Sequence, residues 1–159
     1  MSSSASSQPN GILFDTNVLS HFAKIGRLSL LLQVFTNAHR TKQLYVSPMI
    51  HRELEIGLQH GASYLQNAVQ LIAEQDIQII HPTKADRQFM HSLPAKLAAG
   101  EAEAIALCHR LNLVFISHDR KAVNFCERMG IPSVKFEVFI NRLRLAELLT
   151  ADEIAEMLG

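Results

Sequence analysis

Gly11-Ile12-Leu13-Phe14-Asp15-Thr16-Asn17-Val18-Leu19 is the stretch that decides the fold class. Four apolar residues without polar alternation predict a strand covered on both faces. Asp-Thr-Asn ends that run, and Val18, Leu19, Phe22 and Ile25 then recur at helical spacing until Gly26. Strand, acidic turn and helix in direct succession begin a parallel α/β unit. The pattern repeats downstream. Leu44-Tyr45-Val46 runs into Ser47-Pro48, an N-cap with proline at the first helical position, which opens a helix towards Leu58. Ile77-Gln78-Ile79-Ile80 and Leu113-Val114-Phe115-Ile116 are further strand runs, with a fifth, weaker one around Ser133 to Phe136. Helices are expected over 62–74, 84–92 and Glu101–Leu111, and an amphipathic one over Asn141–Leu149. Thr150-Ala151-Asp152-Glu153 is a capping box for a last helix. The expected architecture is α/β: a three-layer α/β/α sandwich around a central, mainly parallel sheet of four to five strands. Such sheets bind ligands at the carboxyl ends of their strands, near a topological switch point.

A chain of 159 residues corresponds to one domain, against a typical size of roughly 150. The domain is expected over 10–159, with C-terminal helices from about 138, after a disordered Ser-rich tail at 1–9. Fifteen basic and fifteen acidic residues cancel, which excludes a generic basic nucleic-acid binder relying on surplus Lys and Arg. If phosphates are handled, something other than bulk charge must neutralise them. No apolar run reaches the ~20 residues of a membrane span, and Met1 to Asn10 lacks the features of a secretion signal. The expected location is cytoplasmic, with no membrane partner. Cys108 and Cys126 form no disulfide framework and no zinc-type pair. His39-Arg40-Thr41-Lys42 reads as a solvated basic turn.

The acids are the informative residues. Asp15 and Asp119 follow strand runs directly, where an open α/β sheet places its ligands. A plain helix cap explains Asp15 equally well. Glu53 and Glu55 lie about 200° apart around their helix and cannot serve one site together. Glu53 shares a face with Met49, Ile50 and Gly57, whereas Glu55 falls with His51, Arg52 and Gln59 on a solvated stripe. In Gly100-Glu101-Ala102-Glu103-Ala104-Ile105, Glu101 continues the face of Ala104, Ile105 and Cys108, while Glu103 projects beside Ala106, Leu107 and Arg110. Taken alone, Glu101 is explained by the preference of first helical turns for acids. Four such positions together are not explained so simply. Converging carboxylates repel unless a cation lies among them, and all-oxygen donors suit Mg²⁺ or Mn²⁺ rather than zinc. Carboxylate–metal clusters of this kind activate water for phosphodiester hydrolysis.

The stretches Leu13–Leu19, Val46-Ser47-Pro48 into Glu53-Leu54, Gly100–Leu107 and Phe115-Ile116-Ser117-His118-Asp119-Arg120 resemble, in order, those of PIN-domain nucleases, which include the VapC-type toxins of toxin–antitoxin pairs. The resemblance implies a divalent-metal-dependent endoribonuclease with Asp15, Glu53, Glu101 and Asp119 as its catalytic acids. It further implies Asp15, Glu101 and Asp119 as ligands of Mg²⁺ or Mn²⁺. Asn17, Glu103, Ser117 and His118 fall at supporting positions, and Arg120 and Lys121 are placed to meet RNA phosphates. The implied partners are an RNA substrate, an antitoxin protein and a second copy of the chain in a homodimer. His118 departs from the pattern, standing where many relatives carry a second Asp. From about Val134 onward no resemblance holds. Two alternatives to the nuclease are a non-catalytic RNA- or protein-binding module and a phosphatase with a strand-end Asp nucleophile. The phosphatase chemistry wants a second acid two residues on, where Asn17 stands.

Overall fold

The computed structural model describes residues 9–35 and 43–159. Residues 1–8 of the expected tail, and His39 to Lys42, lie outside the described residues. The chain runs β1 (Gly11–Phe14), α1 (Thr16–Lys24), α2 (Leu28–Val34), β2 (Gln43–Val46), α3 (Pro48–Gln59), a 3₁₀ turn (Ser63–Leu65), α4 (Gln66–Ala73) and β3 (Gln78–Ile79). It continues through α5 (Lys84–His91), α6 (Ala99–Leu111), β4 (Leu113–Ser117), α7 (Arg120–Met129), β5 (Ser133–Lys135), α8 (Phe136–Leu145) and α9 (Ala151–Leu158).

The five strands form one parallel sheet in the order β3-β2-β1-β4-β5. The central strand β1 pairs with β2 on one side and, from Gly11↔Leu113 to Phe14↔Ile116, with β4 on the other. Its four residues are all buried, as an unbroken apolar run between two helical layers requires. Connections step outward from β1 through β2 to β3, then return across it to β4 and β5. With right-handed crossovers, the two directions put helices on opposite faces of the sheet. The order reverses between β1 and β4, so the crevice beyond their carboxyl ends is the switch point. Asp15 and Asp119 lie at that crevice.

Helix termini follow the sequence signals. Ser47 Oγ accepts the Ile50 N–H at 3.2 Å, with Pro48 as the first residue of α3. Thr150 and Glu153 cap α9 reciprocally, each bond 3.0 Å long. Three expectations are corrected. Helix α2 has no counterpart among the expected elements, and it buries Leu28, Leu30 and Leu31. The amphipathic helix expected over Asn141–Leu149 runs instead over Phe136–Leu145. It stops there because Glu147 takes a left-handed conformation, φ 61°, which turns the chain away. Finally, the strand expected over 77–80 is regular only over Gln78–Ile79, with the Ile80 N–H still donating to the Val46 carbonyl at 3.0 Å.

Candidate metal centre

Asp15 ends β1 and caps α1. Its Oδ1 accepts the Thr16 N–H at 2.8 Å, and its Oδ2 accepts the Ser117 hydroxyl at 2.8 Å. The capping and site interpretations of Asp15 therefore coexist in one side chain. It is buried, 9% exposed. Ser117 closes β4, and its Oγ also accepts the Asp119 N–H at 3.0 Å. One hydroxyl thus fixes both strand-end acids relative to each other. Asp119 in turn caps α7 through the Lys121 and Ala122 amides, at 2.8 and 3.4 Å.

Two glutamates face this pair from different helices. Glu53, on α3, is exposed to a cleft of about 250 Å³ walled by Asp15, Thr16, Asn17, Glu53, Ala98, Gly100 and Glu101. Ile50 and Leu54 on the same helix are buried, so Glu53 stands at the edge of the buried side of α3, where it opens onto the cleft. Its Oε1 accepts the Thr16 hydroxyl. Glu101, in the first turn of α6, accepts the Ala98 N–H at 3.0 Å and hydrogen-bonds Asp119. Asp119 adjoins the cleft through that bond. Asp15, Glu53, Glu101 and Asp119 are thus brought together.

The charges show what this convergence costs. Burial raises the Asp15 carboxyl above its ordinary range, and the nearby Glu53 and Asp119 charges add to the rise against the Ser117 and Thr16 hydrogen bonds. Glu101 is pushed up from 4.5 to about 7, first by burial, then by its hydrogen bond to Asp119 and by the Asp119 and Asp15 charges. Asp119 moves down, chiefly because Glu101 donates to it, with the Lys121 and Ala122 amides helping. The two carboxyls thus shift in opposite directions, Glu101 up and Asp119 down.

Among the described residues no basic side chain lines the cleft; the acids there are offset by hydrogen bonds from Ser117, Thr16 and Ala98 and, at Asp119, by the nearby Lys121 charge. The donors are oxygens throughout, which fits a hard divalent cation. Among the described residues, however, no three acidic, imidazole or thiol groups already stand as a finished ligand shell. Glu53 and Glu101 are each turned towards a donor of the protein itself, the Thr16 hydroxyl and the Ala98 N–H. Both carry rotatable side chains on fixed helices.

The remaining sequence candidates divide. Asn17 lines the cleft. Glu103 does not reach it: the carboxylate is 6% exposed and accepts the Met49 N–H at 3.0 Å. His118 is exposed, and its ring lies edge-on to His21 and Phe136 at centroid distances of 5.5 and 5.3 Å, outside the cleft wall. Arg120 and Lys121 are exposed at the start of α7. Glu55 lies on the outer side of α3, with His51 Nε2 at 3.7 Å. Thr16 is not among the residues expected from sequence, yet its hydroxyl links the first turn of α1 to Glu53. Its signal was available: a hydroxyl beside Asp15 at a strand end.

A switch-point cleft in a five-stranded parallel sheet, walled by acids from β1, α3 and α6, defines the class of domain. A family model described as a PIN domain matches residues 11–135, and the chain belongs to that family. Among solved structures, VapBC-1 from nontypeable Haemophilus influenzae is similar at 16% identity with a TM-score of 0.59. The match covers 79% of this chain and 98% of that one. A domain of a functionally unknown protein from Methanocaldococcus jannaschii aligns at 15% identity with a TM-score of 0.50, over 79% and 90% of the two chains. These likenesses are of fold. No curated protein matches the chain.

Proposed function

We propose that this PIN domain is a divalent-metal-dependent endoribonuclease, acting as the toxin of a toxin–antitoxin pair. One observation carries the reading: Asp15, Glu53 and Glu101, from separate parts of the chain, wall one cleft at the switch point with Asp119 beside Glu101, and among the described residues no basic side chain lines that cleft. Asp15, Glu101 and Asp119 would hold the cation, with Glu53 facing them across the cleft. Mg²⁺ or Mn²⁺, when bound, supplies Lewis acidity and offsets phosphodiester charge, which the balanced composition cannot do.

The chain's own groups then have separate tasks. Ser117 donates to the Asp15 carboxylate and accepts the Asp119 N–H, which fixes the two strand-end acids relative to each other. Thr16 holds Glu53 so that its carboxylate faces the cleft rather than solvent. Asn17 offers an amide to a bound phosphate or water, and Arg120 and Lys121 extend a basic approach for the RNA backbone. The toxin role, an antitoxin partner, a homodimer and a cytoplasmic location belong to this reading. The VapBC-1 likeness supports the antitoxin. Among the described residues no helix is long and apolar enough to cross a membrane.

Cleavage of a structured RNA should be measured with Mn²⁺, with Mn²⁺ plus chelator, and with Asp15→Asn in Mn²⁺. Cutting only in the first condition supports the assignment, and equal cutting in all three removes it.

A further inference from the structure

Helix α3 begins with an unusual arrangement of donors. Pro48 has no N–H, the Ile50 N–H is taken by Ser47 Oγ at 3.2 Å, and the His51 N–H by the Ser47 carbonyl at 3.0 Å. That leaves the Met49 N–H, which donates at 3.0 Å to Glu103, a residue 54 positions away on α6. The local cap is already supplied by Ser47. The Glu103 bond is therefore not needed to start α3; what it adds is a tie between two helices.

Those two helices carry the two glutamates of the cleft. Met49 lies one turn before Glu53 on the same face of α3, a rise of about 5.4–6 Å. Glu103 follows Glu101 by two residues, so it points to the opposite side of α6. At the other end of the contact, Glu53 Oε2 lies against the first turn of α6, where a Cβ on Gly100 would stand 3.6 Å from it. Helices α3 and α6 thus exchange carboxylates, Glu103 reaching the amino end of α3 and Glu53 resting against the amino end of α6. A carboxylate that is 6% exposed and, among the described residues, has no basic partner is costly to bury. The positive end of the α3 dipole offsets part of that cost. A glutamine would have supplied the acceptor without the charge.

We infer that Glu103 is a positioning residue: its bond to the Met49 N–H sets the distance between α3 and α6 and so holds Glu53 across the cleft from the cation ligand Glu101. The inference rests on the metal-dependent nuclease reading and names a determinant of that same site.

Wild type, Glu103→Ala and Glu103→Gln should be compared in three measurements: Mn²⁺ affinity of the metal-free protein by calorimetry, amide exchange at Met49, and the separate kcat and KM for RNA cleavage. Loss of a group that orients metal-binding residues typically costs 10–100-fold in metal affinity or activity. Glu103→Ala should lose about that much Mn²⁺ affinity and kcat, with the RNA KM within roughly threefold, and its Met49 amide should lose protection. Glu103→Gln, which keeps an acceptor oxygen, should restore most of both. Should Glu103→Ala fail to fold, Glu103→Asp, one methylene short of Met49, takes its place with the same expected direction. Unchanged Mn²⁺ affinity in the Ala or Asp variant, or a Met49 amide that exchanges freely in wild type, overturns the positioning role alone. A wild-type protein that binds no Mn²⁺ while Met49 stays protected overturns the nuclease reading, and the positioning role with it.

Discussion

Replacing Glu101 by Gln should make the metal-free protein more stable. The Glu101 carboxyl holds its proton to about 7 instead of 4.5 because burial, the bond to Asp119 and neighbouring negative charge all disfavour ionisation. Gln reproduces that protonated form: its Oε1 can accept the Ala98 N–H and its Nε2–H can donate to Asp119. At ~1.36 kcal/mol per pK unit, the full displacement sets a ceiling of about 3 kcal/mol. Two corrections lower it. Asp119 is stabilised as an anion through the same bond, and Glu101 is only half-buried, so solvent screens part of the interaction. A net gain of about 1 kcal/mol remains, or roughly 2–4 °C in Tm for a domain of this size. The pH dependence fixes the sign. Below 4.5 both folded and unfolded chains keep the proton, and the variant has no advantage. Between 4.5 and about 7 the unfolded chain ionises while the folded one does not, so wild-type stability falls with rising pH. The Gln variant should be flat across that window from this site. Thermal unfolding from pH 4 to 8 in chelator measures the effect. Adding Mn²⁺ should then reverse the order, since a ligand at 100 times its Kd stabilises wild type by about 2.7 kcal/mol. A Gln variant less stable than wild type at pH 8 in chelator, or a difference independent of pH, refutes the reasoning.

Other perturbations test the frame around the cleft. Ser117→Ala removes the donor to Asp15 and the acceptor for the Asp119 N–H; chemical denaturation should show a loss of about 1–2 kcal/mol, and calorimetry roughly tenfold weaker Mn²⁺ binding. Asp86, 2% exposed, accepts Arg110 Nε with both oxygens at 2.9 Å and the Thr83 N–H at 2.8 Å, joining α5 to α6. Asp86→Ala should cost about 2–3 kcal/mol in urea unfolding, less than a fully buried pair because Arg110 is one-third exposed. Burial alone would raise the Asp86 pKa, but Arg110 and Thr83 hold it below 3.8. That stabilisation is complete above 3.8 and disappears as pH falls through the lower folded value, a limb absent from the alanine variant's acid titration. Phe136, fully buried against Phe22 and the His21 ring, should cost about 3–5 kcal/mol on truncation to Ala, read as a lower denaturation midpoint with the m-value unchanged.

Much of this arrangement is legible in the residues themselves. Gly11–Phe14 and Leu113–Ile116 are unbroken apolar runs because both strands are central and covered on each face. The edge strands are shorter and half-exposed, so Gln78–Ile79 and Ser133–Lys135 leave weaker patterns. Helix α2 escaped notice because Leu28-Ser29-Leu30-Leu31-Leu32 is too short and too uniformly apolar to show a period. The end of α8 escaped because the amphipathic pattern continues past Leu145 while the backbone turns at Glu147, a conformation no side-chain pattern records. In the cleft, helical geometry separates Glu53 from Glu55 and Glu101 from Glu103, since each pair points to opposite sides. What one helix cannot reveal is the partner on another. The Thr16–Glu53 and Met49–Glu103 bonds join residues 37 and 54 positions apart, and only the packing of α1, α3 and α6 brings them together.

A crystal of the protein equilibrated with Mn²⁺ and measured at the manganese absorption edge addresses the cluster directly. Anomalous density among the carboxylates of Asp15, Glu101 and Asp119, with Glu101 turned from Ala98 towards the ion, is the predicted result. Saturating Mn²⁺ with no density in that crevice, or density held elsewhere by other side chains, would contradict it.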